Sequence, residues 1–144
     1  MYEQTIITVP GKPSTGGPMF TKRGFAYTPK NVAEWKAYVK LTIADAVKEC
    51  IPKHRPVELI IIVRKPRPKS PKKPTADRPC PWAFTVKPDV DNVTKGIADA
   101  VKTIGFSDDN QVTDLVVRKR WGPVEEVEVR FRELSEEEML ELGE

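Results

Sequence analysis

The most continuous apolar stretch of the chain is Val57-Glu58-Leu59-Ile60-Ile61-Ile62-Val63. Apolar residues on both sides of a period-two pattern predict a central strand covered on each face. Glu3 to Val9 mixes polar with β-branched residues and stops at Pro10, which predicts a first strand. Val32, Trp35, Val39, Ile43, Ala46 and Cys50 recur at spacings of three and four, the mark of a helix with one buried face. Thr28 is its expected N-cap, Pro29 its first helical residue and Ile51-Pro52 its end.

A second helix carries Val93, Ile97, Ala100, Val101 and Ile104 on its apolar face, with Asp91 or Asn92 as cap and Gly105 as stop. Val112 to Trp121 reads as a strand, and Gly122-Pro123 as a turn. Val127, Val129 and Phe131 alternate with Glu126, Glu128 and Arg130 in a last strand. Ser135 and Glu138 are spaced as a capping box for a short terminal helix. The order is strand, helix, strand, loop, helix and a strand pair. That predicts an α+β fold, a small mixed sheet with two main helices on one face. The other face of the Val57 strand then also needs cover, for which a second subunit is a natural candidate.

Composition narrows the class. A chain of 144 residues fits one domain, read here as 1–134 with an acidic tail at 135–144. A hydrophobic content of 39% without a long apolar run argues against a membrane span. Met1-Tyr2-Glu3-Gln4-Thr5 lacks the basic start and apolar core of a secretory signal, and two cysteines make no disulfide framework, so a cytoplasmic protein is expected. Cys50, His54 and Cys80 fall short of the four ligands of a structural zinc site.

The net charge of +3 conceals an asymmetry. The loop 64–88 contains seven of the 14 prolines, which exclude regular structure over most of it. It also carries Arg64, Lys65, Arg67, Lys69, Lys72, Lys73, Arg78 and Lys87 against the single acid Asp77. A second, smaller basic group, Lys12, Lys22 and Arg23, lies in the Gly/Pro-rich stretch from Gly11 to Phe25. Lysines and arginines so placed are expected to meet a phosphate backbone and release its counterions.

Around the second helix stand Lys87-Pro88-Asp89-Val90-Asp91-Asn92-Val93-Thr94-Lys95 and Ser107-Asp108-Asp109-Asn110-Gln111-Val112. Asp89 and Asp91, two apart, share a side in extended backbone, and Lys95 follows Asp91 by one helical turn. Carboxylates held this close call for a cation, and hard oxygen donors suit Mg²⁺, which takes its remaining ligands from water and phosphate. Asp108 and Asp109 lie past the far end of the helix, roughly 20 Å away, and spacing alone does not return them to Asp89. Two other motifs fit poorly. Asp89-Val90-Asp91-Asn92-Val93 matches the D-x-D-x-[TV] of haloacid-dehalogenase-like phosphatases, but Lys87-Pro88 stands where a buried strand should lead in. An EF-hand loop needs glycine where Thr94 stands and glutamate where Ala100 stands.

These two acidic runs and the helix between them resemble the RusA family of Holliday junction resolvases, as does Tyr27-Thr28-Pro29 ahead of a long helix. The likeness extends from Ile6 to about Phe131 and is most specific from Lys87 to Val112. It implies a homodimeric endodeoxyribonuclease of recombination and repair that cuts paired strands of four-way DNA junctions. Mg²⁺ is its implied cofactor, with Mn²⁺ as a substitute. It further implies Asp89, Asp91 and Asp109 as metal ligands at one site, with Lys95 as the catalytic lysine. The expected DNA contacts are Lys12, Lys22, Arg23, Lys65, Arg67, Lys69, Lys72, Lys73, Arg78 and Lys87. Two stretches depart from the family: Gly11 to Gly17 holds Lys12 as its one base, and the segment from Pro66 to Pro81 is longer than compact members need. The competing reading is a non-catalytic module for branched or single-stranded DNA; Trp82 and Phe84 would stack on bases in it, against the alternative that both pack in the core.

Overall fold

The computed structural model describes residues 3–16, 19–70 and 73–143. Lys72, among the expected DNA contacts, lies outside the described residues. The chain runs β1 (Thr5–Pro10), β2 (Met19–Phe20), β3 (Ala26–Tyr27), α1 (Lys30–Ala46), β4 (Val57–Lys65), α2 (Val90–Val101), β5 (Val112–Trp121), β6 (Glu126–Glu133) and α3 (Glu136–Gly143). The main sheet has the order β1-β6-β4-β5. β6 is antiparallel to both β1 and β4, while β4 and β5 are parallel. This is the expected α+β fold with a mixed sheet and two principal helices.

Alternation explains the layering. Val57, Leu59, Ile61 and Val63 of β4, with Val127, Val129 and Phe131 of β6 and Ile7 and Val9 of β1, form one buried face. Against it lie Trp35, Val39 and Ile43 of α1 and Val93, Ile97, Ala100 and Val101 of α2. α1 packs on the β1 side and α2 on the β5 side. The two helices touch where Gly96 faces Trp35, since a Cβ at Gly96 would stand 3.0 Å from the indole Cζ3.

Four details differ from the sequence-based expectation. β5 and β6 are not partners, because β4 lies between them. The turn joining them passes the end of β4, where the Gly122 amide donates to the Lys65 carbonyl (3.0 Å). Both helices are displaced at their ends. Pro29, not Thr28, is the N-cap of α1, and the helix stops at Ala46 because Val47 turns extended. Ile51 instead bonds to the loop after α2, donating to the Gly105 carbonyl (2.8 Å). α2 is capped at Asp89 and ends at Val101, before Gly105. Glycine is required at 105 by close approach, since a Cβ there would meet Phe131 Cζ at 2.5 Å and Val101 Cγ1 at 2.7 Å. The stretch from Gly11 to Phe25 contains β2, whose small hairpin with β3 was not foreseen.

The fourth difference concerns the far face of the sheet, which is charged. Arg132 bonds Glu58 (3.0 Å) and pairs with Glu138, while Arg64 bonds Glu128 (3.1 Å) and Glu126 (3.5 Å). Burial works against ionisation of Glu128, but hydrogen bonds from Arg130 and Arg64 outweigh it and hold its carboxyl below the usual range. Ile62 is buried within this charged layer and Ile60 partly so. The capping box is present: Glu138 N–H donates to Ser135 Oγ (3.1 Å) and Ser135 N–H to Glu138 Oε1 (3.2 Å). Among the described residues no helix is long and apolar enough to cross a membrane.

Candidate active site

β4 and β5 run parallel, so Lys65 and Trp121 finish at the same end of the sheet. Open α/β arrangements bind ligands at the carboxyl ends of such strands. Asp89 stands there, on the wall of a cavity of about 370 Å³ that also meets Lys12, Ser14, Lys65, Lys87 and Asn92. A smaller cavity of about 110 Å³ shares Ser14, Thr15 and Asn92 with it and adds Lys36 and Lys95. Asp89, Asp91, Asn92 and Lys95 are therefore carried by the first turns of one helix, beside three lysines from other segments. Acidic side chains are favoured at a helix N-terminus by its partial positive charge.

These groups are not consumed by structural tasks. Asp91 is not the cap of α2, and Asp89, which is, makes no side-chain capping bond. Asp99 pairs with Lys36 (3.7 Å) rather than with Lys95. Asp89, Asp91 and Lys95 are all exposed. Two unengaged carboxylates with neighbouring water-accessible positions match what Mg²⁺ takes from a protein, namely one or two carboxylates, with phosphate oxygens completing the shell.

The other end of α2 is built differently. Asp109 opens a 3₁₀ turn, Asp109–Gln111, just before β5. Since β5 starts opposite Val57, that turn lies at the opposite end of β4 from Lys65. β4 has 9 residues and spans roughly 26 Å. α2 has 12 and spans roughly 18 Å. Asp109 therefore does not reach Asp89 within one chain. Among the described residues no three acidic, histidine or cysteine side chains gather closely enough to hold a metal. His54, with φ 68°, precedes β4 at this same end, remote from Asp89.

Asp108 is held below the usual carboxylate range chiefly by a hydrogen bond with the Asp109 side chain, with the Asn110 backbone and the Lys102 charge adding to it against a partial loss of solvation. Lys102 Nζ stands 3.8 Å from its carboxylate. The turn is anchored by Gln111, a buried polar residue that stood in the second acidic run but was given no role there. Its amide donates to the carbonyls of Pro52 (2.6 Å) and Arg55 (3.1 Å) and accepts from Asp108 N–H (2.8 Å). Its place in that run, as an amide just before a strand, was its signal in the sequence.

The basic residues also separate into groups. Lys12, Lys65 and Lys87 border the Asp89 cavity. Lys22 and Arg23 sit at the exposed tip between β2 and β3. Arg67 and Arg78 line a third cavity, and Lys69 and Lys73 are exposed on the proline-rich loop. Trp82 and Phe84 part company: Trp82 is exposed, whereas Phe84 is buried and stacked on Trp121 with ring centroids 4.7 Å apart. Lys119, also unforeseen, lies over Phe84 and donates to the Val86 carbonyl (2.5 Å), fixing the segment that leads into Asp89.

Residues 10–132 match the family model described as "Endodeoxyribonuclease RusA". The chain is also 39% identical over 106 residues to the "Uncharacterized protein YqaN" of Bacillus subtilis (strain 168), covering 70% of this chain and 73% of that one. The matched region spans all of α2, β4 and β5, β6 except Glu133, and of β1 only Pro10.

Proposed function

We propose that this chain, which belongs to the RusA endodeoxyribonuclease family, resolves four-way DNA junctions by paired Mg²⁺-dependent nicks as a homodimer. Membership makes it a DNA endonuclease and sets aside the silent binding module. The observation that carries the finer reading is the split of the expected acid set between the two ends of α2. A two-fold dimer resolves the split, because a contact of residue i with j is repeated as j with i. Each site then takes Asp89, Asp91 and Lys95 from one copy, and the partner subunit's Asp109 as its third acid. Two such sites per dimer supply the two nicks that resolution requires.

Asp89 and Asp91, with the partner's Asp109, would hold Mg²⁺. When bound, such an ion polarises a phosphate oxygen and lowers the pKa of an attacking water. The chain's own residues supply the rest. Lys12, Lys65 and Lys87 neutralise and position the phosphates of the cut strand beside Asp89. Lys95, one turn above Asp91, stabilises negative charge as it grows on the phosphate or the leaving 3′-side oxygen. Lys22, Arg23, Lys69, Lys72, Lys73 and Arg78 extend contact along the arms, and the acidic tail 135–144 stays outside the chemistry of the 1–134 domain.

Mixing two inactive variants tests this. Asp89→Asn and Asp109→Asn each remove one ligand type from both sites. Combined in a heterodimer, they leave one site wholly native if the acids come from different copies, and none if they come from the same copy. Mixed protein should nick one strand of a four-way junction in Mg²⁺ and produce few paired cuts. No activity from the mixture, with both variants dimeric and junction-bound, refutes the shared site. Failure of the unaltered protein to cut any junction refutes the resolvase reading.

A further inference from the structure

The proline-rich loop is folded back on the sheet at the end that carries Asp89. Its outgoing arm supplies Arg67 and Pro68, and its returning arm supplies Trp82 and Val86, to a cavity of about 320 Å³ closed at its base by Trp121. That is the size of a small ligand pocket, which runs from about 300 Å³ upward. Behind Trp121 the ring of Phe84 lies nearly parallel to it at 13°, and Lys119 Nζ stands 4.8 Å from the Phe84 centroid, so the tryptophan on the cavity wall is backed by a stack. The Trp121 indole N–H is occupied by the Trp82 carbonyl (2.7 Å). Trp121 is therefore pinned in plane and offers ring surface, not a donor. Trp82 is 58% exposed although its backbone is fixed by that bond.

We propose that this cavity receives one unpaired nucleobase of the DNA substrate, stacked on the Trp82 and Trp121 rings, with Arg67 and Arg78 on its backbone phosphate. The inference rests on the reading of the chain as a DNA junction nuclease and assigns the site that selects where it cuts. Flat apolar walls with two guanidinium groups at the rim match a planar base joined to an anion. Base stacking on aromatic rings is tolerant of sequence yet strong, and arginine adds to it. A concave slot cannot admit a base inside a duplex, so the base must leave the stack, which is easiest where pairing is already broken. Branch points offer such bases. Val86 lines the cavity and Asp89 is three residues further on, a span of at most roughly 11 Å. At about 3.4 Å of rise per nucleotide, the captured base lies within about three nucleotides of the cut phosphate. Prolines on the walls hold the slot open, so little ordering is needed on binding.

The test is an abasic scan, in which single nucleotides within four positions of the mapped cut in a four-way junction are replaced by abasic residues. The unaltered protein should lose about tenfold in single-turnover rate at one position, the range expected for one lost stack. Trp82→Ala should cut intact DNA about tenfold more slowly and lose nothing further at that position, while Trp82→Phe should keep most of the dependence. The Trp82 side chain is largely exposed and its fixing bond is made by the backbone, so the variant retains the fold. Equal abasic losses in the unaltered protein and Trp82→Ala, or no loss at any position, overturn the proposal. If no junction is cut at all, the nuclease reading fails, and the pocket is then judged with a single-stranded oligonucleotide containing 2-aminopurine. Quenching by the unaltered protein and by Trp82→Phe, absent with Trp82→Ala, supports the pocket; no quenching, or quenching unchanged in Trp82→Ala, rejects it.

Discussion

The two ends of α2 carry the same kind of residue in opposite circumstances. At the start, neither Asp89 nor Asp91 makes a side-chain capping bond or, among the described residues, an ion pair, and Asp89 shares an open cavity with Lys12, Lys65 and Lys87. At the finish, Asp108 shares hydrogen bonds with its neighbours and stands beside Lys102, in a turn tied down by the buried Gln111. A carboxylate whose fold leaves it unengaged beside cations is arranged for a ligand. One that is tied in this way holds its neighbour in position. Asp109 is exposed and opens that turn, which Gln111 ties to Pro52 and Arg55. That is the requirement for a group to be presented to something outside its own chain.

Substitutions at the two ends should therefore differ in kind. The largest effect is expected at the open end. Asp91→Asn removes a ligand charge while leaving the helix cap untouched, and cleavage of a four-way junction in Mg²⁺ should fall roughly a thousandfold, equivalent to several kcal/mol. Gel-shift affinity in Ca²⁺ or without metal should be little changed; normal cleavage would remove Asp91 from the site. Next comes Gly105→Ala, just before the anchored turn. Its methyl would overlap Phe131 and Val101, so urea unfolding should show a loss of about 1–3 kcal/mol. Junction cleavage should suffer with it, through displacement of the Asp109 turn. The smallest effect is expected from Lys102→Ala. Asp108 has a folded-state pKa below its ordinary value of 3.8, so its contribution to stability is present above that value and fades as the pH falls through the folded one. Removing Lys102 takes away one of the lesser causes. Carboxyl NMR titration should then show Asp108 ionising at higher pH, with no measurable change in stability near neutrality.

Much of this was legible from residue order because it is periodic. The 3.6-residue pattern located both main helices, a continuous apolar run located β4, and period two located β6. What escaped depends on contacts between distant segments. The position of β4 between β5 and β6 follows from packing over its end, near Gly122 and Arg64, and not from any local pattern. Alternating Glu and Arg on the far face of the sheet was visible in β6, yet its pairing with Glu58 and Arg64 of β4 required the register. Asp89, Asp91 and Lys95 fall within the first two turns of one helix and could be grouped by spacing. Gln111, Lys119 and Trp121 act through partners 33 to 59 residues away and could not.

The loop between β4 and α2 holds a last consequence. Its returning arm is part of the packing, with Phe84 in the core. The stretch before Trp82 joins elements already positioned by the sheet and helices, so the length of that stretch enters the folding free energy chiefly through closure entropy. That term grows logarithmically, and doubling such a loop costs about 0.6 kcal/mol. The scaffold around α2 can therefore persist while that stretch lengthens or shortens. If the cavity lined by this loop selects the cut position, as proposed above, that choice can change in one segment without reopening the question of whether the protein folds.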